Sequence, residues 1–152
     1  MCGIIGYTTK KTDSVSVALA GLKNLEYRGY DSSGIAFYDG NKLDMVKAKG
    51  KISNLDEKLS QMDITSNCAI AHTRWATHGE PSETNAHPHQ VGKVTLVHNG
   101  IIENYASLKE ELVEKGYEFQ SQTDTEVATA YIDYCYSQSN NKLQALVDAS
   151  KG

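Results

Sequence analysis

The tetrapeptide Asp39-Gly40-Asn41-Lys42 separates two short runs, 35–38 and 43–48, that are rich in Ile, Phe, Tyr, Leu, Met and Val. Gly and Asn accept the backbone angles of a tight reversal, so the segment predicts a β-hairpin. A hairpin commits at least part of the chain to antiparallel pairing. Strands are also expected over 2–8, 68–73 and 94–97. Val15, Ala18, Leu19, Leu22 and Leu25 recur at helical spacing, with Thr12 or Asp13 as N-cap and a stop at Arg28-Gly29. Further helices are predicted over 52–62, over 105–115 between Asn104 and Gly116, and from 123 to about 136. That last one opens on the capping box Thr123-Asp124-Thr125-Glu126. Leu143, Leu146 and Val147 mark a final helix, residues 30–34 read as a turn, and 74–90 read as irregular and polar. Helices and strands alternate without a βαβ rhythm, so the class is α+β.

A chain of 152 residues supports one domain with a real core. The net charge of −4 offers no electrostatic footprint for nucleic acid or for an anionic membrane. No apolar run approaches the roughly 18 residues of a spanning helix, and the N-terminus lacks the basic and cleavage regions of a signal peptide. Cys2, Cys68 and Cys135 are odd in number and widely spaced, so no disulfide framework is implied and a reducing, cytoplasmic location is expected.

Cys2 directly follows Met1, and a Met before so small a residue is usually trimmed. Trimming leaves a thiol and an α-amino group on one residue. An α-amine titrates near ~7.7–8.0, so it serves as a base close to neutral pH. Pairing a nucleophile with its own terminal amine is an established activation device. Asn99 and Gly100 supply a side-chain amide and an unobstructed backbone N–H, the donors an oxyanion needs. Arg74 is a fork for a carboxylate, and Asp124 is an anion for an ammonium group. Together they would hold the amino-acid end of glutamine while Cys2 meets its amide. Singly, each has a plainer explanation. Cys2 is a small apolar strand residue, Asn99-Gly100 a common turn, Arg74 a surface ion pair, and Asp124 a carboxylate favoured at a helix N-terminus. His78, His87, His89 and His98 match no metal-ligand spacing, so neither a metal nor another cofactor is expected.

The ordered set decides between these readings. Cys-Gly-Ile, Tyr-Arg-Gly-Tyr-Asp-Ser, His-Thr-Arg-Trp-Ala-Thr-His-Gly, Asn-Ala-His-Pro-His, His-Asn-Gly-Ile-Ile-Glu-Asn-Tyr and Ser-Gln-Thr-Asp-Thr-Glu occur in that order. The chain thereby resembles the class II, N-terminal-nucleophile glutamine amidotransferases, in particular the glutaminase domain of the glucosamine-6-phosphate synthases. The resemblance implies one type 2 amidotransferase domain over 1–152, built as an αββα sandwich. It implies a γ-glutamyl thioester on Cys2, with Asn99 and Gly100 stabilising the oxyanion. It further implies that Arg74, Thr77, His78 and Asp124 bind glutamine, with Arg28 on a covering loop. Trp75 would gate ammonia and His87 would lie near a domain interface. A sugar-isomerase portion and homo-oligomerisation are expected of the full-length protein, and the sandwich is expected to be incomplete at its C-terminus. The alternatives are the glutaminase domain of another amidotransferase, such as amidophosphoribosyltransferase, an inactive module on the same fold, and a cysteine hydrolase acting on another amide.

Overall fold

In the computed structural model, which describes residues 1–76 and 79–152, the predicted hairpin pairs β2 (Ser32–Tyr38) with β3 (Leu43–Lys49). Asp39 closes the turn by accepting the backbone N–H groups of Asn41 and Lys42 through Oδ1, both at 2.8 Å. With β1 (Gly3–Thr8) and β4 (Cys68–Arg74), the hairpin completes a four-stranded antiparallel sheet in the order β1-β4-β2-β3. This sheet belongs to the first of two compact units, which comprises Met1–Pro88 and Val97–Asn99. His89–Leu96 and Gly100–Gly152 form the second.

Strand alternation gives the sheet two unlike faces. Ile5, Ala71 and Ile35 lie in one row and Tyr7, Ala69 and Phe37 in the next. Against these rows pack α1 (Ser14–Leu25), through Val15, Ala18, Leu19 and Leu22, and α2 (Ile52–Ser60), through Ile52, Leu55 and Leu59. Leu22, Ile35, Ile52 and Leu55 are fully buried, each worth about 1.5–3 kcal/mol of transfer free energy. The opposite face carries Ile4, His72 and Gly34 in one row, and Arg74 beside Ser32 in another. A Cβ on Gly34 would collide with the backbone carbonyl of His87, so only glycine admits that segment against the sheet.

The turn expected over 30–34 is corrected: β2 already begins at Ser32. β2 lies inside the sheet and is paired on both sides. Two ladders of hydrogen bonds outweigh the local turn preference of Ser and Gly. α1 ends at Leu25 and passes through a 3-10 turn, Glu26–Arg28, to Gly29 at φ 101°. Asp13 stands at the N-cap of α1 but makes no side-chain cap bond.

In the second unit, β5 (His89–Val91) pairs with β6 (Val94–Leu96), and α3 (Tyr105–Glu114), α4 (Asp124–Ser139) and α5 (Lys142–Ala149) follow. Its core gathers Leu112, Val127 and Ala130 with Tyr105, Leu108 and Phe119. Half of the capping box forms, since Thr123 Oγ1 accepts the Glu126 N–H at 3.3 Å. The Glu126 carboxylate instead takes the backbone N–H groups of Gln120 at 3.0 Å and Ser121 at 2.7 Å. Asn104 precedes α3 without a side-chain cap bond, and its side-chain amide donates to the Gly152 carbonyl at 2.5 Å. Among the described residues no helix is long and apolar enough to cross a membrane.

Candidate active site

The β1–β4 ladder decides where Cys2 lies. Gly3 opposes Thr73 and donates its N–H to Thr73 Oγ1 at 3.1 Å. The preceding residue is thereby carried past the end of β4, where the Trp75 N–H donates to Cys2 Sγ at 3.1 Å. Met1 continues across to the end of the 3-10 turn. Its ammonium donates to the Arg28 carbonyl at 3.0 Å, and the Arg28 guanidinium touches its sulfur. The Trp75 ring packs on Gly29, where an added Cβ would stand 2.5 Å from a ring carbon. Gly29 therefore answers both a positive φ and a close approach. Three stretches distant in sequence, 1–2, 28–29 and 74–75, meet at one corner of the sheet.

Arg74 ends β4 and is only 3% exposed. Its Nη1 lies 3.8 Å from Asp31 Oδ1. The fork donates to the backbone carbonyls of Glu80 at 3.2 Å and Gly79 at 3.1 Å. Asp31 in turn accepts the Ala76 N–H and the Ser32 hydroxyl, the latter at 2.8 Å. The charge expected to meet a ligand carboxylate is thus tied to the backbone of Ala76, Gly79 and Glu80, directly or through Asp31. Truncating one member would strand a charge from which water is largely excluded.

Two residues before Arg74 on the same strand face, His72 is fully buried. Its Nε2 lies 2.7 Å from Asn99 Oδ1 and 3.1 Å from the His98 carbonyl. The His87 ring stacks on it, with centroids 4.1 Å apart and planes 12° from parallel. His87 Nδ1 also faces the His98 N–H at 3.4 Å. Burial pushes the His72 pKa down to about 4, against a smaller upward pull from its bonds to Asn99 and His98. His87, expected near a domain interface, is 5% exposed within this chain, with its ring against the sheet.

Gly100 and Asp124 belong to the second unit. Gly100 has φ 146°, a region that L-residues rarely occupy. Asp124 is the first residue of α4 and is 4% exposed. Its Oδ2 accepts the Ile102 N–H at 2.8 Å, which holds the segment that follows Gly100. Thr77 and His78, expected to bind glutamine, lie outside the described residues. Sequence reasoning gave no role to two residues that the structure brings forward, Asp31 and His72. His72 lay in the strand predicted over 68–73, but that strand stopped one residue short of Arg74; only β4, which runs to Arg74, puts the two on one face. Asp31 carried no such signal, since its partners lie 43 and 45 positions away. Cys2, Cys68 and Cys135 are all free thiols, and no metal-binding group of three His, Cys, Asp or Glu occurs among the described residues.

Known proteins resemble this chain. The chain is 52% identical to the isomerizing glutamine–fructose-6-phosphate aminotransferase of Clostridium acetobutylicum, over 98% of its own length and 24% of that protein. It is 55% identical to the enzyme of the same name from Bacteroides thetaiotaomicron, over 88% of the chain and 22% of that protein. The chain thus spans about a quarter of the curated relatives it matches. Among solved structures, it superposes on the glutamine phosphoribosylpyrophosphate amidotransferase of B. subtilis with a TM-score of 0.81 at 26% identity, covering 99% of this chain and 32% of that one. A structure described as the allosteric regulatory enzyme of purine biosynthesis gives 0.84, also at 26% identity, with 99% and 33% covered. The α+β class and the N-terminal-nucleophile amidotransferase fold expected from the sequence therefore hold. The family of glutamine amidotransferase domains matches residues 56–145, more than half of the sequence, and this chain belongs to it.

Proposed function

We propose that the chain hydrolyses glutamine to glutamate and ammonia with Cys2 as nucleophile. The observation that carries this reading is the Cys2 thiol fixed at the end of β4, 3.1 Å from the Trp75 N–H and one residue beyond Arg74. In the proposed reaction Met1 is removed first, which frees the α-amine of Cys2. That amine takes the thiol proton, and the thiolate adds to the carbon of the glutamine side-chain amide. The displaced electron pair forms an oxyanion, which receives N–H donors from Asn99 and Gly100. Collapse breaks the carbon–nitrogen bond, and the Cys2 ammonium protonates the leaving nitrogen, so that ammonia departs and a γ-glutamyl thioester remains. Water, deprotonated by the same amine, then adds to the thioester, and the carbon–sulfur bond breaks to give glutamate and the thiolate.

Arg74, Thr77, His78 and Asp124 are assigned to binding the amino-acid end of glutamine, Arg28 to a covering loop, Trp75 to ammonia gating and His87 to a domain interface. The names of the relatives support a further step, in which a longer protein uses the ammonia to aminate fructose 6-phosphate. A sugar-isomerase portion, a homo-oligomeric state and a cytoplasmic setting belong to that proposal. Phosphoribosyl amination is the weaker reading, because identity is 26% to the solved phosphoribosylpyrophosphate enzyme and 52% to the Clostridium aminotransferase. Intact-protein mass after incubation with an electrophilic glutamine analogue tests the reading. A single adduct on Cys2, on a chain lacking Met1, is expected. A folded chain that forms no adduct overturns it.

A further inference from the structure

We propose that His72 is a positioning residue for catalysis: its ring, locked in one tautomer, turns the Asn99 amide so that Nδ2 rather than Oδ1 faces the reacting carbonyl. The inference rests on the glutaminase reading above and deepens it. The argument starts from an atom whose identity is not open to choice. The His98 backbone carbonyl accepts only, and it lies 3.1 Å from His72 Nε2. Nε2 must therefore carry the proton. A proton on Nε2 in turn requires an acceptor at 2.7 Å, which makes the neighbouring Asn99 atom the amide oxygen. The Asn99 NH2 is left pointing away from His72 and available to a developing oxyanion. Without the His72 donor, the two ends of the amide compete for the same place, and half of their arrangements present oxygen to an anion.

Burial opposes protonation of His72 and outweighs the upward pull of its bonds to Asn99 and His98. Nδ1 is buried without a partner, so a second proton would have no acceptor. The groups around it are the His87 ring stacked on one side, His98 and Asn99 at Nε2, and the Arg74 guanidinium further along β4. Its neighbours in register, Ile4 and Gly34, bring no charge. The same burial that denies Nδ1 a partner keeps the ring neutral at working pH. His72 therefore exchanges no proton with Cys2. It acts through Asn99.

Three measurements on the full chain test this. Glutamine turnover by the wild-type protein tests the glutaminase reading alone. A His72→Ala change should lower kcat by about tenfold or more, bounded by the ~10²–10³ worth of one oxyanion contact, with little change in KM. Added to Asn99→Ala it should cost nothing further, because the residue it works through is gone. His72→Gln, which restores an N–H donor, should recover most of kcat. Alkylation of Cys2 by iodoacetamide forms no oxyanion, so its rate should match wild type in every variant. Losses that add in the double variant overturn the proposal, as does slowed alkylation by His72→Gln. If a variant fails to fold or the wild type turns over no glutamine, the imidazole nitrogen-15 shifts of the wild-type protein decide. A bare Nδ1 and a protonated Nε2 throughout pH 6–9 are expected, and a proton on Nδ1 overturns the inference.

Discussion

The Trp75 backbone N–H lies 3.1 Å from Cys2 Sγ. The thiol is thus placed by the β1–β4 ladder rather than by local sequence, and the same tryptophan rests its ring on Gly29. A Cys2→Ala chain should keep its fold and lose glutamine hydrolysis to background, because no other residue offers both a nucleophile and a terminal amine. Keeping Met1 should also cost activity, since the Cys2 nitrogen is then a peptide amide and no base. Turnover assays paired with intact mass check both. Full activity in an unprocessed chain would remove the amine from the mechanism.

Asn99 and Arg74 should part company in kinetics and stability. Asn99 is exposed at the end of its segment, so Asn99→Ala should lower kcat by roughly 10²–10³ and leave the melting temperature nearly unchanged. Arg74 is buried against Asp31. Arg74→Ala should raise KM and destabilise the fold by about 3 kcal/mol, because Asp31 loses its counter-charge. Denaturant melts beside Michaelis–Menten curves separate the two effects. An Asn99 variant altered only in KM would refute the oxyanion assignment.

Gly29 offers a spectroscopic test. The chain has a single tryptophan, so its emission reports Trp75 alone. Gly29→Ala faces both φ 101° and the indole ring. It should cost about 1–2 kcal/mol from backbone strain and push Trp75 off the turn, visible as a change in emission maximum. An unchanged spectrum with unchanged stability would mean that the contact does not persist in solution.

Stability should fall on mild acidification through His72. The folded pKa is about 4 against an ordinary 6.5, so between those values the unfolded chain binds more protons than the folded one. The contribution is complete above pH 6.5 and lost progressively as pH drops toward 4, reaching about 3 kcal/mol at most. Denaturation of the wild type and of His72→Gln at pH 7.5, 5.5 and 4.5 should show the wild type losing more. Parallel losses would assign the acid sensitivity elsewhere.

Much of the fold is legible locally. The Asp39–Lys42 turn sets the hairpin, the spacing from Val15 to Leu25 sets α1, and Thr123 before Asp124 starts α4, because each signal involves neighbours in sequence. The ordered motifs, together with Cys2 at the head of a strand, also carried the family. Tertiary structure alone decided the rest. Ser32-Ser33-Gly34 reads as a turn but pairs on both sides within the sheet, and pairing partners far away in sequence leave no local trace. The capping-box glutamate took the N–H groups of Gln120 and Ser121 over the helix start, because the path of the chain just before α4 brings them to it. At the site, the sequence named Asn99 but not the histidine that turns its amide, and Arg74 but not Asp31. A side chain's own chemistry is written in the sequence. Which atom of it faces a substrate depends on hydrogen-bond partners that only the folded sheet brings within reach.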